Sequence, residues 1–119
     1  MKFHETPLAG VWLIEPEVLA DERGWFARTF DRDEFKARGL NPEVVQCNAS
    51  HNAQRHTLRG MHYQAEPHGE SKLVRCVRGA IFDVALDLRH DSPTYLAWHG
   101  VGFHLAASVF LNWELVMKG

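Results

Sequence analysis

Residues Thr57 to Gln64 read TLRGMHYQ, which sets an arginine, a histidine and a tyrosine into a run with the composition of a strand. Imidazole gains and loses its proton near neutral pH, so His62 is a candidate general base. A strand histidine satisfied by a backbone carbonyl is the plainer account, but its company argues for chemistry. Arg59 precedes it, Lys72 opens the next predicted strand, and Gln46 and Asn48 lie in QCNAS, expected to be the preceding strand. A sheet interior lined with His, Lys, Arg, Gln and Asn is costly unless a polar ligand satisfies it.

Strand alternation puts His62 and Gln64 on one face of this run and Arg59 and Met61 on the other. Both Arg59 and His62 reach one pocket only if the chain is bulged or kinked between them. Gly60 stands there, and glycine inside a strand pattern often marks a bulge, so a break in the ladder is expected at Gly60.

A second stretch, DERGWF from Asp21 to Phe26, combines a charge cluster with two aromatics. It reads either as a turn with a charged surface or as a ligand grip. In the second reading Arg23 offers a planar fork to a phosphate, and Trp25 or Phe26 offers a ring face to a base. Metal chemistry is the obvious rival for a chain with 8 histidines. The sequence contains no HxH pair, and His62 and His68 are separated by a Pro-containing turn, which is poor spacing for a closed site. No metal and no cofactor are therefore expected.

The elements that must position these residues are short. DRDEFKARG is the one clear helix, with Asp31 as cap, Glu34 three residues on as in a capping box, and Gly39 at the stop. KLVRCVR and IFDVALDL, joined by GA, form the best hairpin-like pair. In the second of them Phe82, Val84, Leu86 and Leu88 are expected to face the core. Ile81, Asp83, Ala85 and Asp87 are then left toward water or a polar cavity. His90 to Thr94, HDSPT, reads as a turn. The last segment, VGFHLAASVFLNWELVMKG, fits neither period, and strand and buried helix both remain open. Many short strands with one small helix imply an all-β sandwich or barrel of the jelly-roll kind.

At 119 residues the chain is one domain. Apolar residues make up 45% and charged residues 24%, and 13 basic against 15 acidic side chains leave a formal charge of -2. That balance lacks the basic surplus of a nucleic-acid binder. The apolar stretch Leu8 to Ile14 is too short and too interrupted for a signal peptide or a membrane span, which implies a cytoplasmic protein. Cys47 and Cys76 form no CxxC and read as reduced thiols, with one disulfide as the alternative.

In combination, DERGWFARTF, QCNASHN, TLRGMHYQ, KLVRCVRGAIFDVALDLRHDSPTY and the Trp98 to Val101 stretch resemble the dTDP-4-dehydrorhamnose 3,5-epimerase family of metal-free cupins. The resemblance runs in order from about Val11 to Val101. It implies a homodimeric, cupin-type jelly roll that epimerises C3 and C5 of a dTDP-4-keto-6-deoxyhexose. It also implies that His62 removes the proton next to the ketone and that Lys72 stands beside the sugar's C4 oxygen. Arg23, Gln46, Asn48 and Arg59 fall on positions that hold the nucleotide sugar, with Phe26 near the base.

Two departures stand out. Arg28, in FARTF, occupies a substrate-binding position where many family members carry glutamate, which leaves base and sugar preference open. Family members also continue through a second-half strand, a proton-donating tyrosine and an acidic partner for the base histidine, none of which is found after Val101. The expectation is a single truncated cupin-like domain over residues 1–119, with an incomplete second half and a tail, 102–119, of unassigned homology. The alternatives are a non-catalytic sugar-nucleotide-binding remnant and a metal-dependent cupin.

Overall fold

The computed structural model describes residues 1–104, 108–111 and 115–118. Strands β1 (Lys2–Glu5), β2 (Val11–Glu15), β3 (Leu19–Asp21) and β4 (Gly24–Phe26) precede the single helix α1 (Arg32–Ala37). After it come β5 (Lys72–Arg75), β6 (Ala80–Asp87), β7 (Trp98–His104), β8 (Ser108–Leu111) and β9 (Leu115–Lys118). They form a four-stranded sheet in the order β1-β2-β8-β5, a three-stranded sheet β7-β6-β9, and the β3-β4 hairpin. Every pairing within them is antiparallel. The architecture is all-β, a cupin-type jelly roll with one short helix and no closed barrel among the described residues.

Two apolar clusters fix the layers. Val11 and Leu13 of β2, Val74 of β5 and Cys76 pack with Ile81 and Ala85 of β6 and Val101 and Phe103 of β7, filling the space between the two larger sheets. On the other face of the four-stranded sheet, Ile14 and Phe110 pack with Phe35 and Leu40 from the helix and its exit. Phe35, 1% exposed, meets the rings of Phe30, Phe3 and Phe110 at centroid distances of 4.8, 5.5 and 5.7 Å.

The helix is capped as its sequence requires. Asp31 Oδ1 accepts from the backbone N–H of Asp33 at 2.9 Å and of Glu34 at 3.1 Å. At the other end Gly39, at φ 70°, lets its own N–H reach the Lys36 carbonyl and that of Leu40 reach Phe35. This is the two-bond Schellman stop, and the Leu40–Phe35 contact is its apolar companion.

Three expectations are corrected. KLVRCVR and IFDVALDL do not form a hairpin. β5 pairs with β8 and β6 with β7 and β9, so the Cys76 to Gly79 corner carries the chain from one sheet to the other. The faces of β6 are also reversed: Asp83, Ala85 and Asp87 are buried while Phe82 is 60% exposed. The reversal costs little at Asp87, because that side chain is saturated. Arg89 grips it with Nε on Oδ1 and Nη2 on Oδ2, both at 2.9 Å, and the Ser92 and Thr94 hydroxyls donate at 2.6 and 2.7 Å. Burial pushes the Asp87 carboxyl up, but the bonds from Arg89, Ser92 and Thr94 together outweigh it and hold it well below the usual range. His90 to Thr94 is the expected turn, and Arg89 also reaches the Ala9 carbonyl at 2.7 Å, pinning it to the β1–β2 connection.

The third correction concerns the segment between α1 and β5. QCNAS is not a strand, and Thr57 to Gln64 is irregular apart from an isolated bridge at His62. From Glu43 to His68 every residue is exposed, so no layer presses this segment into a ladder. The open question over the final segment resolves as strand in β7, β8 and β9. Leu105, Ala106 and Ala107 of the 102–119 tail lie outside the described residues.

Candidate functional site

The expected break at Gly60 is present in that no regular strand runs through Leu58 to His62, and Gly60 itself adopts φ 104°. His62 follows it, exposed, on the irregular segment. Lys72 starts β5 and is a third exposed, with its Nζ 3.3 Å from Glu70 Oε1. The Gln64 side chain, with its amide nitrogen turned toward the same carboxylate, donates to Glu70 Oε2 at 3.0 Å. Glu70 therefore links the His62 segment to the first residue of β5. Sequence reading passed over it, although an acid two residues before a strand-initiating lysine is a usable signal.

The other cations are held locally. Arg23 sits on the β3–β4 turn and grips Asp21 with Nε, at 3.3 and 3.2 Å from the two oxygens, and with Nη2. Its hydrogen bonds hold the Asp21 carboxyl below its ordinary range, and Asp21 raises the guanidinium in turn. Arg28 Nη1 lies 3.4 Å from Asp31 Oδ2, so it is anchored to the helix cap. The backbone N–H of Glu34 is the chief cause of the lowered Asp31 pKa, with the Arg28 charge a lesser one. Arg59 Nη2 donates to the His51 carbonyl at 3.0 Å and ties together two limbs of the irregular segment.

Gln46 and Asn48 are exposed in that same segment, and Phe26 on β4 is 67% exposed. The eight predicted site residues thus fall on the β3–β4 hairpin with its exit, on the irregular segment and on β5. Their hydrogen-bond partners among the described residues are local groups rather than one another. One cleft of about 260 Å³ separates Tyr63–Glu66 from Leu88–Asp91, and another of about 320 Å³ lies along Glu5–Trp12. Neither is lined by any of the eight. No cluster of three His, Cys, Asp or Glu side chains close enough to hold a metal ion occurs among the described residues.

Asp83 is the anomaly between the sheets. It is 3% exposed, and its Oδ1 has no hydrogen-bond partner among the described residues. Burial pushes its carboxyl up to about 6, against a smaller opposing effect of a bond from the Val84 backbone.

The family model described as dTDP-4-dehydrorhamnose 3,5-epimerase matches residues 5–111. The chain belongs to this family. It is 52% identical over 101 residues to the dTDP-4-dehydrorhamnose 3,5-epimerase of Methanothermobacter thermautotrophicus, covering 84% of this chain and 53% of that protein. A crystal structure of dTDP-4-dehydrorhamnose 3,5-epimerase from Bacillus anthracis with TDP and PPi bound superposes with a TM-score of 0.93 at 32% identity, over 98% of this chain and 68% of that one. A 3'-monoepimerase from Streptomyces bikiniensis in complex with dTDP-quinovose gives 0.87 at 35% identity, over 97% and 59%. The chain spans about half the length of the curated relatives it matches. Among the described residues no helix is long and apolar enough to cross a membrane.

Proposed function

We propose that this chain belongs to a sugar-nucleotide epimerase that abstracts protons alpha to the C4 ketone of a dTDP-4-keto-6-deoxyhexose. The observation that carries the reading is the family match over residues 5–111, which spans every residue assigned a role here. His62 removes the proton on the carbon next to the C4 ketone. The electron pair moves into an enolate whose charge gathers on the C4 oxygen, where the Lys72 ammonium stabilises it. A positioned base contributes roughly 10²–10⁴-fold, and a well-placed donor at the developing oxyanion is worth about 2.7–4 kcal/mol. Return of a proton to the opposite face inverts the centre; return to the same face only exchanges it.

Arg23 and Arg59 bind the diphosphate, since guanidinium groups pair bidentately with phosphate oxygens and do not titrate. Gln46 and Asn48 hold the sugar and nucleoside, and Phe26 stacks on the base. Arg28 selects among bases or sugars by its charge. Two relatives, one named for 3,5-epimerisation and one for 3'-epimerisation, are alike enough that the positions attacked stay part of the test.

The protein works as a homodimer in the cytoplasm on this reading. Val45, Leu58, Tyr63 and Phe26 leave 90, 69, 59 and 67% of their surface exposed, which supports a covering second copy. Cys47 and Cys76 are both free thiols, in keeping with a reducing compartment. Sedimentation equilibrium tests the dimer.

The deciding experiment is proton NMR of dTDP-4-keto-6-deoxyglucose in D₂O with the purified 119-residue chain. Deuterium at C3 or C5 is the expected result. Exchange without inversion assigns the chain only the base half of the reaction. Failure of a folded chain to exchange either proton, with dTDP still raising its Tm, replaces the proposal with a binding role.

A further inference from the structure

Asp83 is an acid that the proposed chemistry leaves unused, at a place where an acid is expensive. A carboxylate taken out of water is destabilised unless it is paired or hydrogen-bonded, yet Oδ1 of this one has no partner among the described residues. Its neighbours on the same face of β6 show where it faces. Ile81 and Ala85, two residues to either side, both belong to the cluster between the sheets.

Across that space lies β5. Val74 packs on the same cluster, so the face of β5 that looks toward β6 carries residues 72 and 74, and Cys76, just past the strand, is part of that cluster. Lys72 holds the first of these positions, in register with Leu111 of β8, which also pairs with Val11 of β2. Facing sheets pack about 10 Å apart, a gap that the flexible four-carbon stem of lysine can span toward a carboxylate.

Among the described residues, the other polar groups on these inner faces are Asp87, Cys76 and His99. Asp87 is saturated by Arg89, Ser92 and Thr94. Cys76 donates to the Arg78 carbonyl at 3.4 Å. β2 contributes only Val11 and Leu13 to the cluster. On β7, His99 stands opposite Ala85, diagonal to Asp83.

We infer that Asp83 is a positioning residue for Lys72, a buried carboxylate on the facing sheet that draws the ammonium from Glu70 into the space between the sheets. The inference rests on the reading of Lys72 as the group beside the C4 oxygen. Glu70 and Asp83 then give the lysine two stations, one at the rim and one inside. The inner station holds the amine in the space between the sheets.

The test is a pH titration by NMR of the 119-residue chain with its lysines reductively dimethylated with ¹³C, which preserves their charge. Lys72 is assigned by loss of its signal in Lys72→Met. In Asp83→Asn the Lys72 midpoint is expected to fall by about half a unit or more, roughly a threefold change in its proton affinity. Reciprocally, Lys72→Met is expected to raise the midpoint of the Asp83 carboxyl followed through its ¹³Cγ, and this arm decides the matter if Asp83→Asn does not fold. An unchanged Lys72 midpoint in folded Asp83→Asn, or a shift seen only at His99, overturns the inference. Where the chain exchanges sugar protons, Asp83→Asn should also move the alkaline limb of the pH profile downward without changing dTDP affinity. If wild type exchanges nothing, the proposed function fails while the titrations still decide the role of Asp83.

Discussion

Lys72 Nζ lies 3.3 Å from Glu70 Oε1, and the Gln64 amide nitrogen, when turned toward that carboxylate, lies 2.5 and 3.0 Å from its Oε1 and Oε2. One acid thus couples the strand that carries the candidate oxyanion group to the segment that carries the candidate base. Both partners of the ion pair are partly exposed, and such pairs contribute about 0–1 kcal/mol to stability. Glu70→Gln should therefore leave the Tm nearly unchanged. It should still lower the rate of sugar proton exchange, because Gln64 and His62 lose their tether to β5. Chemical denaturation beside the D₂O exchange assay separates the two effects, and equal losses in both would remove the positioning role.

His62→Asn keeps a polar side chain of similar reach but cannot take a proton at neutral pH. Exchange at C3 and C5 should drop by roughly 10²–10⁴-fold or more, with dTDP affinity by calorimetry preserved. Lys72→Met should cost a similar factor, corresponding to about 2.7–4 kcal/mol of transition-state stabilisation. Wild-type exchange in either variant would take that residue out of the mechanism.

Asp83 makes the fold sensitive to pH in a definite direction. Its folded pKa of about 6 lies above the unfolded value, so the unfolded chain ionises first as pH rises. Its effect is absent below about pH 4, grows between about pH 4 and 6, and levels off above, where it destabilises by an order of 1–3 kcal/mol. Urea unfolding across that window should show wild type losing stability that Asp83→Asn keeps. Asp87, held in the opposite direction, contributes stability that is present at neutral pH and lost as the solution is acidified below the ordinary carboxylate range. A wild-type profile flat from pH 4 to 7 would contradict the environment assigned to Asp83.

A Cβ on Gly100 would come within 2.5 Å of Phe82 Cζ, because the Phe82 ring lies over the glycine on the outer face of the β6–β7 pair. Gly100→Val should destabilise by about 1–3 kcal/mol through overpacking. Phe82→Ala in the same chain should recover much of that loss, since the exposed ring is what the new side chain meets. Tm values for both singles and the double variant provide the check, and simple additivity would argue against the contact.

The capped helix was legible because its signals are local. Asp31, Gly39 and the spacing of Phe35 act within a few residues, and hydrogen bonds along the chain satisfy them. The turn at His90 to Thr94 was legible for the same reason. The family, too, could be read from blocks such as LRGMHYQ and KLVRCVRGAIFDV, where residue identity alone carries the match.

The sequence could not fix which face of β6 turns inward. Alternation defines two faces, and hydrophobicity favoured the one with Phe82, Val84 and Leu86. The choice went the other way because Arg89, Ser92 and Thr94, brought back by the turn, satisfy Asp87 inside the fold. Nor could local pattern separate β5 from β6, since a two-residue hairpin and a corner between sheets look alike until β8 arrives to pair with β5. The sequence by itself determined the elements with local caps, the family, and the identity of the groups available for chemistry. Tertiary structure decided the pairing of strands, the burial of Asp83 and the partner of Lys72, because each depends on residues far apart in the chain.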